Sequence, residues 1–420
     1  MGCSHRLSRL VLLAHSMLQP KTAYLTAISA WYGAFGMQSV VFAWLVTMVL
    51  REPAERVGLA QMSLLLPGML FILIAGVLAD RIGQRRQAAW SQLFAGLMPL
   101  FLALAVYVQA LSFAVMIGYA LLMGCASAFL TPARDGLLNH VAGSDVQRAV
   151  IQASLCQFGF QILGYSFAGL ADTLGAEIIL VVQSVVLLLG VWAYTQLREV
   201  TPRPDSEAPQ EDVLTSLLDG ARTVISNPLM RTVMLQNIAM GCFFMGAFIV
   251  GFPLVMREVF AGSSADLAVL NALNSLGLVV SILALLKLGF VARAGRALVV
   301  AQGLGSIVLL TTGLVSNQPL FMFLVFVWGV CGGIAMPMSR TLMQQLAPPA
   351  QRARVMSFYA FSFMGAGPIG TLFCGYLADL FGPQQAIVIS AFCMLLVLVL
   401  ISLSSPLWGS KLEQVQPQAD

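Results

Sequence analysis

A chain of 420 residues that is 59% hydrophobic and only 10% charged departs far from soluble proteins, in which about a quarter of residues carry charge. An ordinary soluble fold is excluded, and lipid becomes the solvent for most of the chain. The formal charge of +4 is not gathered into a basic block, so no nucleic-acid partner is expected.

Apolar runs between charged or Pro/Gly-rich breaks predict spans near 23–50, 59–79, 88–108, 112–131, 150–171, 176–197, 229–256, 265–288, 297–316, 319–339, 355–378 and 385–404. Each approaches the roughly 20 apolar residues that a bilayer-crossing helix needs. Within hydrocarbon the backbone must satisfy its own hydrogen bonds, which leaves helices or closed barrels, and the absence of period-2 alternation selects helices. With the amino terminus inside, nineteen of the 22 Lys and Arg residues fall on the inner side. The outer side keeps Arg51, Arg56 and Arg257, which predicts both termini in the cytoplasm.

Between spans six and seven, Thr201-Pro202-Arg203-Pro204-Asp205 opens a proline-rich, charged linker. Leu214, Leu217, Leu218, Ala221, Val224 and Ile225 then recur at helical spacing and predict an amphipathic helix on the inner membrane surface. The expected domains are 1–197, an amino-terminal six-helix bundle; 198–228, a cytoplasmic linker with that surface helix; 229–404, a carboxy-terminal six-helix bundle; and 405–420, a cytoplasmic tail. The seven cysteines are scattered through apolar runs and read as packing residues, not disulfides or metal ligands. Met1-Gly2-Cys3 invites a lipidation reading, which Arg6 disfavours because the acylation pattern wants Ser or Thr there. No cleavable signal peptide is expected.

Two repeats organise the chain. Gly76-Val77-Leu78-Ala79-Asp80-Arg81-Ile82-Gly83-Gln84-Arg85-Arg86 closes the second span with dense charge, and its core returns as Ala171-Asp172-Thr173-Leu174-Gly175 and Ala378-Asp379-Leu380-Phe381-Gly382. Val291-Ala292-Arg293-Ala294-Gly295 is a degenerate fourth copy. Pro132-Ala133-Arg134, Gln147-Arg148 and Ala171-Asp172 in the first half match Pro337 to Arg340, Gln351-Arg352 and Ala378-Asp379 in the second, at offsets near 205 residues. Such constant spacing predicts a parallel duplication, and the inverted placement of the Asp80 and Asp172 copies predicts a nested 3+3 inversion. The expected fold class is an all-α membrane protein: twelve transmembrane helices in two six-helix bundles with nested inverted repeats.

On these features the chain resembles the major facilitator superfamily over nearly its whole length, with Gly76–Arg86 matching the signature loop between helices two and three. Thr131-Pro132-Ala133-Arg134, Gly164 and Gly169 on span five, and the surface helix before Asn227-Pro228 resemble a bacterial export branch that includes enterobactin-exporter-like and macrolide-efflux-like proteins. The resemblance implies a secondary transporter of the bacterial inner membrane, not an enzyme. It also implies that Asp80, Arg81, Gly83, Arg85 and Arg86 latch the two halves on the cytoplasmic side, with Arg134, Arg352 and Arg354 as partners across that face. The alternative is an ordinary positive-inside cluster. Ala292 stands where the second-half acid belongs, so an asymmetric latch is expected.

Polar and aromatic residues inside spans are the candidates for a substrate cavity. The amides are Gln38, Gln157, Gln161, Asn237, Asn271 and Asn274, with interhelical hydrogen bonding as the competing role. Trp31, Tyr32, Phe35 and Phe244 are the aromatic candidates, with core packing as theirs. Gly365-Ala366-Gly367-Pro368-Ile369-Gly370 mimics a dinucleotide-binding pattern but lies in an apolar span without a surrounding strand. Gly367, Pro368 and Gly370, with Gly164 and Gly169, instead predict close helix packing and bending. No Asp, Glu or Lys sits at mid-membrane, which favours a neutral or bulky amphipathic small molecule as ligand. No phosphate-binding loop, zinc spacing or cofactor motif is present, so no cofactor or metal is expected. The remaining expected partners are the bilayer and protons, with the protein a monomer. A lysophospholipid translocator, a nutrient importer and a transport-dead membrane sensor are the alternatives.

Overall fold

The computed structural model describes residues 19–142, 146–197, 213–288, 293–348 and 351–404. The stretch before residue 19, the 198–212 part of the linker, Val291-Ala292 of the weak fourth copy and the 405–420 tail lie outside the described residues, as does the side chain of Asp80. Among the described residues the chain is helical throughout, without a strand.

The first half builds α1 (Pro20–Trp44, extended by a π-helical turn Leu45–Val49), α2 (Ala54–Ile82), α3 (Gln84–Tyr107), α4 (Phe113–Ala142), α5 (Val146–Ala168) and α6 (Ala176–Thr195). The amphipathic stretch forms α7 (Val213–Ser226). The second half builds α8 (Pro228–Ala239, continued through π-helical turns Met240–Phe244 and Ala247–Gly251 into Phe252–Glu258), α9 (Ser264–Leu288), α10 (Ala294–Leu314), α11 (Gln318–Leu346), α12 (Arg352–Phe381) and α13 (Pro383–Ser404). Ten of these segments are long and apolar enough to cross a membrane. Beside them α2 and α5 run for 29 and 23 residues.

Local chemistry places the boundaries. Asn227 caps α8 by accepting the Leu229 and Met230 amides at 3.0 and 3.2 Å, with Pro228 in the first turn, where its missing N–H costs nothing. Asn317 caps α11 through Leu320 at 3.2 Å. All three intact copies of the Ala-Asp-x-x-Gly repeat end a helix in one way. The amides of Gly83, Gly175 and Gly382 reach back to the carbonyls of Ala79, Ala171 and Ala378 at 3.1, 3.0 and 2.9 Å. Among the described residues these are the three glycines of positive φ, at 92°, 89° and 85°, a region that side-chain-bearing residues rarely enter. The next helix starts at the following residue each time. In the degenerate copy, Gly295 is an ordinary helical residue of α10.

Within the first half, α1 packs on α5 and α6, α2 on α4, and α3 on α4 and α6; within the second, α11 packs on α9 and α10, and α10 on α13. Across the halves, α2 packs against α12 and α5 against α9. Side chains such as Trp90, Tyr107 and Leu403, exposed by 68%, 77% and 81%, give the outside an apolar surface that suits lipid. The interior is filled by Tyr119, Tyr194, Phe42, Phe252 and Phe321, each almost fully buried.

Candidate functional site

Tyr24, Ile28 and Tyr32 are spaced by four residues and therefore share one stripe of α1. That stripe faces Arg134, Asp135 and Leu138 of α4 and Ala153, Ser154 and Gln157 of α5 across a partly open cavity of about 120 Å³. The Arg134 side chain is only 10% exposed, whereas that of Asp135 is 65% exposed. Arg134 Nε and Nη2 both lie 3.0 Å from the same oxygen, Asp135 Oδ1. Its guanidinium carbon stands 5.1 Å from the centre of the Tyr32 ring, and the Tyr24 hydroxyl donates to the Arg134 carbonyl at 3.2 Å. Burying a cation is costly unless it is paired. Here one carboxylate oxygen and an aromatic face offset that cost.

A smaller cavity of about 20 Å³, roughly the room of one water molecule, adjoins Trp31, Ala34, Phe35, Gln38, Met123 and Leu187. Gln38 Oε1 accepts from Gln183 Nε2 at 2.8 Å and from the Tyr119 hydroxyl. Its Nε2 has no partner among the described residues. Of the sequence candidates, Trp31, Tyr32, Phe35, Gln38 and Gln157 thus line the two cavities.

The second-half candidates have packing partners. Asn237 Nδ2 donates to the Tyr359 carbonyl at 3.0 Å and to Ser362 Oγ at 2.9 Å, tying α8 to α12. Asn271 donates within its own helix to Leu267 at 2.8 Å, and Asn274 forms the backbone surface against which Gly329 fits. The Phe244 ring sits edge-on to Trp328 at 5.6 Å, inside a cluster that continues through Phe248, Phe252 and Phe321. Gln161 donates to the Tyr165 hydroxyl.

The glycine candidates lie at close crossings. A Cβ on Gly164 would overlap the Gly33 carbonyl of α1, and one on Gly370 the Cys242 carbonyl of α8; at Gly367 it would meet Met245 Sδ at 2.9 Å and at Gly169 the Ala268 Cβ at 2.8 Å. Pro368 lies inside α12.

The halves are joined at the end that carries Val49, Asp172 and Phe381. Asp172 Oδ1 accepts the Trp44 indole N–H at 3.0 Å, and Oδ2 accepts the Ser264 amide at 2.6 Å, at the first residue of α9. Ser264 Oγ donates back to the Gly169 carbonyl at 3.0 Å and receives the Asp172 amide at 3.1 Å. Arg257 Nη1 reaches the carbonyls of Thr47 and Glu52 at 3.2 and 2.6 Å. Beside them a Cβ on Gly58 of α2 would meet the Thr371 carbonyl of α12 at 2.7 Å and Gly375 Cα at 2.9 Å. Midway along, Gly68 still faces Met364 at 3.3 Å, whereas a Cβ on Gly76 would meet nothing within 4 Å.

At the opposite end the signature loop folds onto its own half. Gln87 Nε2 donates to the carbonyls of Ala75 and Phe129 at 2.7 and 2.9 Å, Arg85 Nη1 to that of Leu197 at 2.6 Å, and Gln84 packs over Gly136. Arg81, Arg86 and Arg352 are exposed. Arg354 pairs with Asp219 of α7 at 3.3 Å, Thr223 Oγ1 donates to Gln351 Oε1 at 2.6 Å, and Gly220 sits against the Arg354 carbonyl. The amphipathic helix therefore docks on the start of α12, burying Val224.

Sequence reasoning passed over Tyr24, Asp135 and Ser154 and assigned Arg134 to the latch. The four-residue stripe of Tyr24, Ile28 and Tyr32 was the available signal for the cavity. It also treated Asp172 only as a repeat marker, although an acid kept at the end of an apolar span is a polar group in need of a partner.

The sequence profile of a family described as transmembrane secretion effector matches residues 18–419. The multidrug efflux pump Tap of Mycolicibacterium fortuitum is 28% identical over 378 residues, covering 86% of this chain and 90% of that protein. Among solved structures, a mutant of the nucleoside transporter NupG superposes with a TM-score of 0.75 at 14% identity, covering 91% of this chain and 99% of that one. A bacterial homolog of the human lysosomal transporter Spinster, inward-facing and occupied, gives 0.74 at 14% identity, covering 94% and 98%. By profile, relative and fold, the chain belongs to the transmembrane secretion effector family of the major facilitator superfamily and is a multi-pass membrane transporter, not an enzyme.

Proposed function

We propose that the protein is a secondary active exporter of amphipathic small molecules, drug- or siderophore-like, working by alternating access as a proton-coupled antiporter. The observation that carries this reading is the unlike treatment of the two ends: hydrogen bonds through Asp172 and Arg257 join the halves at one end, whereas the Arg134 cavity lies against Tyr24, Ile28 and Tyr32, toward the other end of α1. The reading takes the joined end as the outer face, so that the cavity receives ligand from the cytoplasm. Supporting it are the efflux activity named for the 28% identical relative and the sequence expectation that nineteen of 22 cationic residues lie on the inner side. In this reading α1–α6 and α8–α13 are two six-helix bundles with twelve spans in the bacterial inner membrane. The protein is a monomer with both termini cytoplasmic.

Alternating access then requires that the Asp172 junction open and that the other end close. The signature loop supplies the second closure, with Asp80, Gly83 and Arg85 as its core and Arg352 and Arg354 across the face. Electrochemical drive is sufficient, since one charge moving through about 100 mV yields about 2.3 kcal/mol. A nutrient importer of the same fold is the second reading. Inverted vesicles decide between them: uncoupler-sensitive accumulation of an amphipathic dye is expected for export. The absence of such flux across a panel of neutral, anionic and cationic dyes would refute it.

A further inference from the structure

The cavity between α1, α4 and α5 holds a nearly buried guanidinium whose pairing is lopsided. Both polar contacts of the Arg134 side chain go to one oxygen, Asp135 Oδ1, although a guanidinium offers five N–H donors in a fork that fits a carboxylate through two oxygens. Among the described residues its Nη1 has no hydrogen-bond partner. The Asp135 side chain is 65% exposed, at the solvent side of a pocket whose wall is Arg134. Tyr32 lies under the guanidinium, and Tyr24, Ser154 and Gln157 add hydroxyl and amide groups around the same space. An exposed carboxylate holds its partner weakly, so a ligand anion able to engage the fork through both oxygens can replace it.

We propose that this cavity is an anion subsite, which takes the carboxylate, or another planar acidic group, of an amphipathic aromatic ligand. Arg134 is its binding cation. Asp135 is an internal stand-in for the ligand's acid and swings out when the ligand enters. The tyrosines flank the aromatic body, and Ser154 and Gln157 bond polar substituents. The inference rests on the exporter reading for its direction of entry and deepens it by naming a ligand class. It also revises the expectation of a neutral ligand, which followed from counting only acids and lysines within the spans.

The test uses the purified full-length protein in lipid nanodiscs, titrated calorimetrically with 2-naphthoate, its neutral amide 2-naphthamide, and 2-naphthylmethylammonium. The expected order is naphthoate tightest and the cation weakest. Arg134→Gln is expected to weaken naphthoate binding about tenfold or more and to leave the amide unchanged, while Arg134→Lys retains part of the affinity. Asp135→Asn is the decisive variant, expected to tighten naphthoate binding about fivefold by removing the competing acid. If Asp135→Asn binds naphthoate no more tightly, or Arg134→Gln binds it as well as the parent, the pair is structural and the proposal falls. Uncoupler-sensitive accumulation of a neutral dye in inverted vesicles, alongside failed naphthoate titrations in nanodiscs, would overturn the subsite while leaving the exporter intact.

Discussion

Asp172, at the end of the fifth span, receives the backbone amide of Ser264, the first residue of α9, at 2.6 Å. A carboxylate from one half of the chain thus caps a helix of the other, where the helix dipole favours negative charge. Its second oxygen holds the Trp44 indole at 3.0 Å, so three helices meet on one side chain.

Asp172→Ala removes that cap and is expected to weaken the joined end by about 1 kcal/mol, roughly a fivefold shift toward its open form. In a cysteine-free background, bismaleimide cross-linking between Thr173→Cys and Ala265→Cys should fall in the variant. Unchanged cross-linking would show that the contact does not hold the end shut.

Gly58 tests the same junction by steric means. A valine there collides with the Thr371 carbonyl and Gly375 of α12, and overpacking of this kind costs about 1–3 kcal/mol. Transport should drop about tenfold while membrane insertion persists. Gly76→Ala, on the same helix with open space around it, should transport normally.

Gly164→Val attacks the α1–α5 crossing within one half. Its side chain would overlap the Gly33 backbone, so a lowered melting temperature is expected in detergent. Gly159→Ala, with nothing within 4 Å, is the matched control. It should melt no lower than the parent, since alanine favours helix by about 1 kcal/mol over glycine.

The docking of α7 separates a weak contact from a strong one. The Arg354 and Asp219 side chains are 31% and 45% exposed, so Asp219→Ala should cost less than about 1 kcal/mol. Gly220→Val instead meets the Arg354 carbonyl at 2.7 Å and should undock the helix. Hydrogen exchange of residues 218–226 should rise sharply in the second variant and little in the first.

For the signature loop, Asp80→Asn is expected to reduce transport while expression and insertion remain normal. Full transport by the purified variant would remove the latch role.

Much of this fold was legible because apolar length is a one-dimensional signal. The first span was expected at 23–50, and the helix with its π-helical turn runs from Pro20 to Val49. Hydropathy ended the second span at residue 79, yet α2 continues through Asp80 and Arg81 to Ile82, because charged residues propagate a helix perfectly well and only Gly83 stops it. The candidate site was half legible. An aromatic and an amide inside apolar spans brought Tyr32 and Gln157 into view, but Arg134 looked like loop charge because sequence alone does not reveal that Tyr32 and α5 fold over it. The second-half amides could not be told from packing residues, because an asparagine donating to Tyr359 and Ser362 has the same spacing as one facing a ligand.

The three glycine corners carry a mechanical implication. Gly83 and Gly382 each join two long helices with a single residue and no slack, at a backbone angle that a side chain disfavours, while Gly175 joins the short Ala171–Leu174 turn to α6. The pairs α2–α3 and α12–α13 can therefore neither slide apart nor lengthen their connection, and each must pivot as a stiff hairpin. Since α2 and α12 also face one another through Gly58 and Gly375, any rocking of the protein transmits thrust from one hairpin to the other through bare backbone. The give needed for that stroke has to come from side-chain repacking between the hairpins, because the corners themselves have none to offer.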